Sequence, residues 1–211
     1  MPHLTPSDLA DWWAGLPATP GDLRVLAVEG RSGSGKTTLA AALSALVPTA
    51  ARVPMDELYP GWDGLAAAVD LLLEHVLVPL AAGRPAAVPR WDWTSGTPAP
   101  PRPLPPPASG FVLLEGIGCG ARACAPYLGG LVWIDAPAAL RRERALARDG
   151  ATYAPHWERW AAQEVAYLAA ERPDVRADLV LDGSAAGPGT GPGGTGGTLG
   201  MTADRRRPLA G

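Results

Sequence analysis

Residues 30–37 read Gly30-Arg31-Ser32-Gly33-Ser34-Gly35-Lys36-Thr37, and this octapeptide decides the fold. Ahead of it lies Arg24–Glu29 (RVLAVE), a buried-strand pattern; behind it KTTLAAALSAL continues with helical spacing to Leu46. The spacing G-x-x-x-x-G-K-[ST] between a strand and a helix is that of a phosphate-gripping loop. Its glycines let successive amide N–H groups turn inward around an anion. The helix behind adds the partial positive charge of its N-terminus. Lys36 can reach the terminal phosphates, and the Thr37 hydroxyl can ligate Mg²⁺. The stretch predicts a nucleoside triphosphate with Mg²⁺, held by Gly30, Ser32, Gly33, Ser34, Gly35, Lys36, Thr37 and Thr38. It leaves open what happens to the γ-phosphate.

Composition sharpens the reading of Lys36. Of the 18 basic residues it is the one lysine, the rest being Arg, and Asn is absent. A bias toward GC-rich codons accounts for most of this, but the surviving lysine stands where an ammonium group has chemistry to do. The formal charge of -3 supplies no electrostatic footprint for nucleic acid or an anionic membrane. No apolar run approaches the roughly 20 residues of a bilayer span. MPHLTPSDLADWW lacks a basic segment followed by an apolar one, so we expect no secretion signal. Cys119 and Cys124 form neither a metal-ligand set nor a disulfide framework, which fits a cytoplasmic protein.

The 211 residues suggest one domain with appendages. Residues 1–22 read as a helical extension, with Ser7 as cap and Leu9, Trp12, Trp13 and Leu16 on one face. Residues 23–182 alternate strand and helix. Strands are expected at 24–29, 51–55, 111–115 (FVLLE), 131–135 (LVWID) and 177–181; helices at 65–81, where Pro79 should end or kink the element, and at 138–148 and 156–171. Continuously apolar strands predict an α/β fold, a parallel sheet with helices on both faces. Such sheets bind ligands past the carboxyl ends of their strands, where Glu29, Asp56, Glu115 and Asp135 all fall. Residues 84–110 are too Pro-rich for a central strand and predict an excursion that serves as a lid, a binding loop or a stiff surface loop. Residues 183–211 are Gly-rich and read as a disordered tail.

Five stretches in order resemble the uridine kinase branch of the P-loop small-molecule kinases, which share the NMP-kinase-like three-layer fold. They are Gly30–Thr37, Asp56-Glu57-Leu58-Tyr59, Pro89-Arg90-Trp91-Asp92-Trp93, Leu113-Leu114-Glu115-Gly116-Ile117 and the Arg-rich 141–149. The resemblance covers roughly residues 24–182. It implies an ATP- and Mg²⁺-dependent phosphotransferase acting on a hydroxyl of a small molecule. It also implies Asp56 as general base and metal neighbour, Glu115 with Thr37 beside Mg²⁺, and an acceptor pocket at Tyr59, Trp91, Asp92 and Trp93. Asp135 is the rival to Glu115, since LVWID is also a strand ending in an acid. Arg141, Arg144 and Arg148, at spacings of three and four, would share one face of a lid helix; planar guanidinium groups suit a migrating phosphoryl group, and with Lys36 they complete the expected catalytic set.

Thr94-Ser95-Gly96-Thr97 follows the aromatic element without the His found in the family's uridine-binding enzymes. A nucleoside, a nucleoside monophosphate, pantothenate or a sugar acid therefore stay open as acceptors, with Arg52, Arg84 and Arg90 available to a phosphate. The other class of reading is a nucleotide-dependent switch; a guanine-reading Asn-Lys-x-Asp element cannot exist without Asn. His75 and His156 read as packed residues. A homo-oligomer is left open.

Overall fold

The computed structural model describes residues 3–184 and 201–205. Among these residues nine strands run in chain order as β1 (His3–Leu4), β2 (Arg24–Glu29), β3 (Ala51–Pro54), β4 (Ala86–Asp92), β5 (Thr97–Leu104), β6 (Phe111–Glu115), β7 (Gly130–Asp135), β8 (Leu179–Asp182) and β9 (Met201–Arg205). The helices are α1 (Pro6–Ala14), α2 (Lys36–Leu46), α3 (Leu65–Leu72), α4 (Val78–Ala81), α5 (Ala138–Tyr153), α6 (Trp157–Glu171) and α7 (Pro173–Arg176). The main sheet has the order β1-β9-β8-β7-β2-β6-β3. The five members β3, β6, β2, β7 and β8 are all parallel, with β3 at one edge; at the other end β9 joins β8 and β1 joins β9, each antiparallel.

The central strands are apolar throughout because they are buried on both sides. Val25 and Ala27 of β2, Val112 and Leu114 of β6, and Leu131 and Trp133 of β7 face one core with α3 and α6. Leu26, Val28, Leu113, Val132 and Ile134 face the other, with Leu9, Trp13 and Leu16 from the first helical segment and Leu39 and Leu43 of α2. Period-two alternation in the strands thus feeds two helical layers, as the expected α/β sheet requires.

Several local details differ from expectation for identifiable reasons. Thr5, not Ser7, caps α1: its hydroxyl accepts from the Asp8 amide at 3.2 Å while the Asp8 carboxylate takes the Thr5 N–H at 2.8 Å, and Pro6 occupies the first helical position. The expected helix at 65–81 is broken by a wide π turn, Leu73–Leu77, because Pro79 lacks the N–H and the clearance a regular helix needs. His75 sits in that turn and is exposed, not packed. The Pro-rich excursion is a separate antiparallel hairpin, β4 with β5, joined through Asp92↔Thr97. Each strand of a two-stranded ribbon is an edge, so prolines on its open side cost no ladder bond. Within the segment read as a tail, Met201–Arg205 pairs with β8 and covers an edge that would otherwise bare its backbone groups; residues 185–200 and 206–211 lie outside the described residues.

The first helix contributes to the core directly. Trp13 is fully buried, donates its indole N–H to the Arg24 carbonyl at 2.8 Å and meets Phe111 edge to face with centroids 5.2 Å apart. Replacing it leaves a cavity and an orphaned carbonyl, so Trp13→Ala should lose about 3–5 kcal/mol in urea unfolding, whereas an appended helix would lose far less.

Candidate active site

The loop between β2 and α2 is shaped by two glycines with left-handed backbone angles, Gly33 at φ 79° and Gly35 at φ 105°. A Cβ on Gly33 would run into the Arg141 carbonyl, so only glycine fits. The Ser34 hydroxyl is buried with no hydrogen-bond partner, a free polar atom aimed within a loop that could wrap an anion. The Lys36 ammonium spans the loop to the Arg31 carbonyl at 3.1 Å. Thr38 follows in the first turn of α2.

Parallel pairing of β2 with β6 brings Val28 opposite Glu115, and so brings Glu115 to the start of α2. There the Thr37 hydroxyl donates to Glu115 Oε1 at 3.1 Å, while Arg52 of β3 donates to Oε2, also at 3.1 Å. Asp135, the rival acid, is exposed at the end of β7; it accepts its neighbour's amide from Ala136 and lies 3.6 Å from Arg141. Glu115 is therefore the strand-end acid in contact with the loop.

Asp56 sits in the single turn Met55–Glu57 that follows β3. The residue is exposed, yet protein crowds its carboxylate closely enough that lost hydration is the largest influence on it. That loss and the negative charge of Glu115 push its pKa up; Lys36 and Arg148 pull it back less strongly. The hairpin holds this turn from two sides. Trp93 donates its indole N–H to the Asp56 carbonyl at 2.9 Å, and Arg102 binds the Glu57 carboxylate at 3.0 Å and the Arg52 carbonyl at 3.3 Å.

The three arginines of α5 expected on one face, Arg141, Arg144 and Arg148, take different partners. Arg141 is buried and donates to the Ala136 carbonyl at 3.0 Å and the Ser32 carbonyl at 3.4 Å, locking the base of the helix to the loop. Arg144 donates to the Gly183 and Ser184 carbonyls at 2.7 and 2.9 Å. Arg148 pairs with Asp149 at 2.6 Å, and its charge acts on Asp56 and Glu115.

Among the expected acceptor residues, Tyr59 is buried, donates to the Ile117 carbonyl at 2.7 Å and packs edge to face on Trp160, leaving no open ring face. Asp92 accepts from the Thr94 and Ser95 amides and the Ser95 hydroxyl in the exposed hairpin turn, bonds that hold its pKa low. Trp91 lies half-buried against Gly61, and Trp93 tilts onto Trp62 with centroids 4.7 Å apart.

No family model and no curated protein matches the chain. A solved structure described as a possible uridine kinase from Bacillus stearothermophilus superposes with a TM-score of 0.61 at 24% identity, over 83% of this chain and 96% of that one. The chain shares the α/β fold of that structure. A fructose transport system kinase from Silicibacter sp. TM1040 is less similar, with a TM-score of 0.47 at 22% identity over 80% of this chain and 94% of that one.

On this fold, four residues that the sequence passed over or set aside join the site. Trp62 stacks on Tyr153 and His156, with centroids 5.3 and 4.5 Å apart, tying the α5–α6 segment to the hairpin side. Its flanking glycines in Gly61-Trp62-Asp63-Gly64 were the available signal. Glu164 contacts the phosphate loop, and its signal was a charge on the apolar face Trp157, Trp160, Tyr167 of α6. A cleft of about 400 Å³ opens elsewhere, between Leu128, Leu131, Val175 and Asp178, and none of the residues above lines it.

Glu29, the last residue of β2, is fully buried and accepts from the Gly118 and Gly120 amides of the segment after Glu115. Burial pushes its pKa up to about 7, against the pull of those amides and of Lys36. Burial also raises the thiols of Cys119 and Cys124, the latter to about 12, so both stay protonated. Because the folded pKa of Glu29 exceeds the unfolded value of 4.5, folding favours its protonated form. The associated stability is full below about pH 4.5 and lost as pH rises through about 7. Wild type should gain about 2–3 kcal/mol relative to Glu29→Gln between pH 8 and pH 5 in paired urea titrations.

Proposed function

We propose that this chain is an ATP-dependent kinase that moves the γ-phosphoryl group of ATP to a hydroxyl of a small molecule. The observation that carries this reading is the bond from the Thr37 hydroxyl to Glu115, made beside a crowded Asp56 and the loop that bears Lys36. A phosphate loop alone needs no such acid; a phosphoryl transferase needs a metal neighbour and a base at the same place.

The residues fit ATP and Mg²⁺. The unpartnered Ser34 hydroxyl, the inward-turned glycines and Lys36 suit a triphosphate. Among the described residues no group of three or more His, Cys, Asp or Glu could hold a metal by itself. That suits Mg²⁺, which uses one or two carboxylates, a hydroxyl and the phosphates. Thr37 and Glu115 would hold the ion, with Asp56 near. When bound, Mg²⁺ neutralises charge on the phosphate oxygens.

Asp56 accepts the proton of the acceptor hydroxyl as that oxygen turns toward phosphorus. Burial and the charge of Glu115 raise its pKa, which strengthens it as a proton acceptor. Arg148 puts a fixed positive charge beside Asp56 and Glu115, where negative charge migrates. Arg141 and Arg144 act as anchors of α5. The half-buried Trp93, bonded to the Asp56 carbonyl, offers ring surface there, so an acceptor with a ring or apolar body as well as a hydroxyl suits the site. Asp92 and Tyr59 are committed elsewhere in the fold. No helix among the described residues is long and apolar enough to cross a membrane.

Lys36→Ala should abolish transfer. Asp56→Asn should lower turnover by about 10²–10⁴-fold with Mg·ATP binding retained, and should remove the fall in rate as pH drops through the raised pKa of the base. Turnover at the wild-type level would remove Asp56 from that role. A screen of nucleosides and other hydroxyl metabolites should find acceptor-dependent ADP release. Release indifferent to every acceptor would contradict the kinase reading and favour a nucleotide switch.

A further inference from the structure

Ser32 is gripped through all three of its polar groups by residues far along the chain. Its N–H donates to Glu164 Oε1 at 2.7 Å, its carbonyl accepts from Arg141 at 3.4 Å, and its hydroxyl lies 3.0 Å from the Tyr153 hydroxyl. Glu164, on α6, is 1% exposed and takes two further donors: Arg31 Nε at 2.9 Å on Oε2 and the Trp160 indole at 3.2 Å on Oε1. A buried carboxylate with three donors is satisfied where it stands, so it is a fixed post and not a mobile charge.

We propose that Glu164 is a positioning residue that sets the front half of the phosphate loop in its binding shape. This rests on the loop's reading as a triphosphate site. The residues Arg31–Gly33 lie in no helix or strand, and Gly33 has the backbone freedom to take many shapes. Glu164 takes the Ser32 N–H for itself, at 2.7 Å. With Arg141 fixing the carbonyl of the same residue, the peptide planes on both sides of Ser32 are set. The next amides, from Gly33 on, are then aimed before any ligand arrives, and a donor array already aimed loses less entropy on binding.

Arg31 explains how a carboxylate can stand beside a site built for a polyanion. Its guanidinium pairs with Glu164 and cancels the charge that would otherwise repel the phosphates. Glu164 and Arg31 therefore act together: one aims the loop, the other keeps the aiming group electrically silent.

The test uses the full chain, with Glu164→Gln, Arg31→Ala and the double variant. In the nucleotide-free protein, Glu164→Gln should speed hydrogen exchange at the Ser32 amide. Its Kd for Mg·ATP should rise about tenfold, as expected for loss of a charge-assisted bond, while kcat at saturating ATP stays within about twofold. A merely structural role would lower Tm and leave the Kd of folded protein unchanged. Arg31 is partly exposed, so its alanine variant should fold; it bares the Glu164 charge and should weaken Mg·ATP binding, and adding Glu164→Gln should restore part of the loss. Wild-type exchange and wild-type affinity in both single variants would overturn the proposal. A wild-type chain that binds no Mg·ATP would overturn the kinase reading and this role together, whereas a binding wild type with unaltered variants overturns this role alone.

Discussion

The Thr37 hydroxyl bonded to Glu115 joins the two halves of the site, and the rest of the arrangement depends on it. Thr37 belongs to the helix that opens behind the phosphate loop; Glu115 ends the strand next to the one that leads into that loop. Neither residue could reach the other without parallel pairing of those strands in the observed register. A shift by one residue would turn every side chain of β6 over, carrying Glu115 to the face that Val112 and Leu114 now occupy and away from Thr37. The apolar alternation of the strands thus sets the geometry of the polar site.

Two supports converge on this centre from outside the sheet. The Pro-rich hairpin holds the turn of Asp56 through Trp93 and Arg102, fixing an exposed carboxylate by its backbone and its neighbours. The C-terminal helices hold the loop through Ser32 and face the hairpin across the Trp62 stack. The charged groups are consequently paired or fixed before any ligand binds, which is the condition under which electrostatic stabilisation costs no rearrangement.

Much of this was legible in the sequence, because the signals involved are local or periodic. The loop carries its own spacing, and the runs RVLAVE, FVLLE and LVWID carry their burial in their composition. The parallel fold follows from them. What stayed hidden depends on contacts across long sequence separations. Nothing near Tyr59 says that its hydroxyl reaches Ile117, nor does the regular spacing of Arg141, Arg144 and Arg148 say that each finds a different carbonyl or carboxylate. The hairpin at 84–110 was masked by prolines, which are hostile to a central strand but harmless in a ribbon with two free edges. Glu164 was masked by distance, since its partners Arg31 and Ser32 lie more than a hundred residues earlier.

The central claim is that Thr37, Glu115, Lys36 and Asp56 surround one reacting phosphoryl group. A crystal structure with Mg²⁺ and a non-hydrolysable ATP analogue tests it most directly. The account requires the terminal phosphate beside Lys36, the ion between the Thr37 hydroxyl and Glu115, and the Asp56 carboxylate facing the phosphorus from the side open to an acceptor. A nucleotide bound elsewhere, or a phosphate whose open side faces away from Asp56, would contradict it.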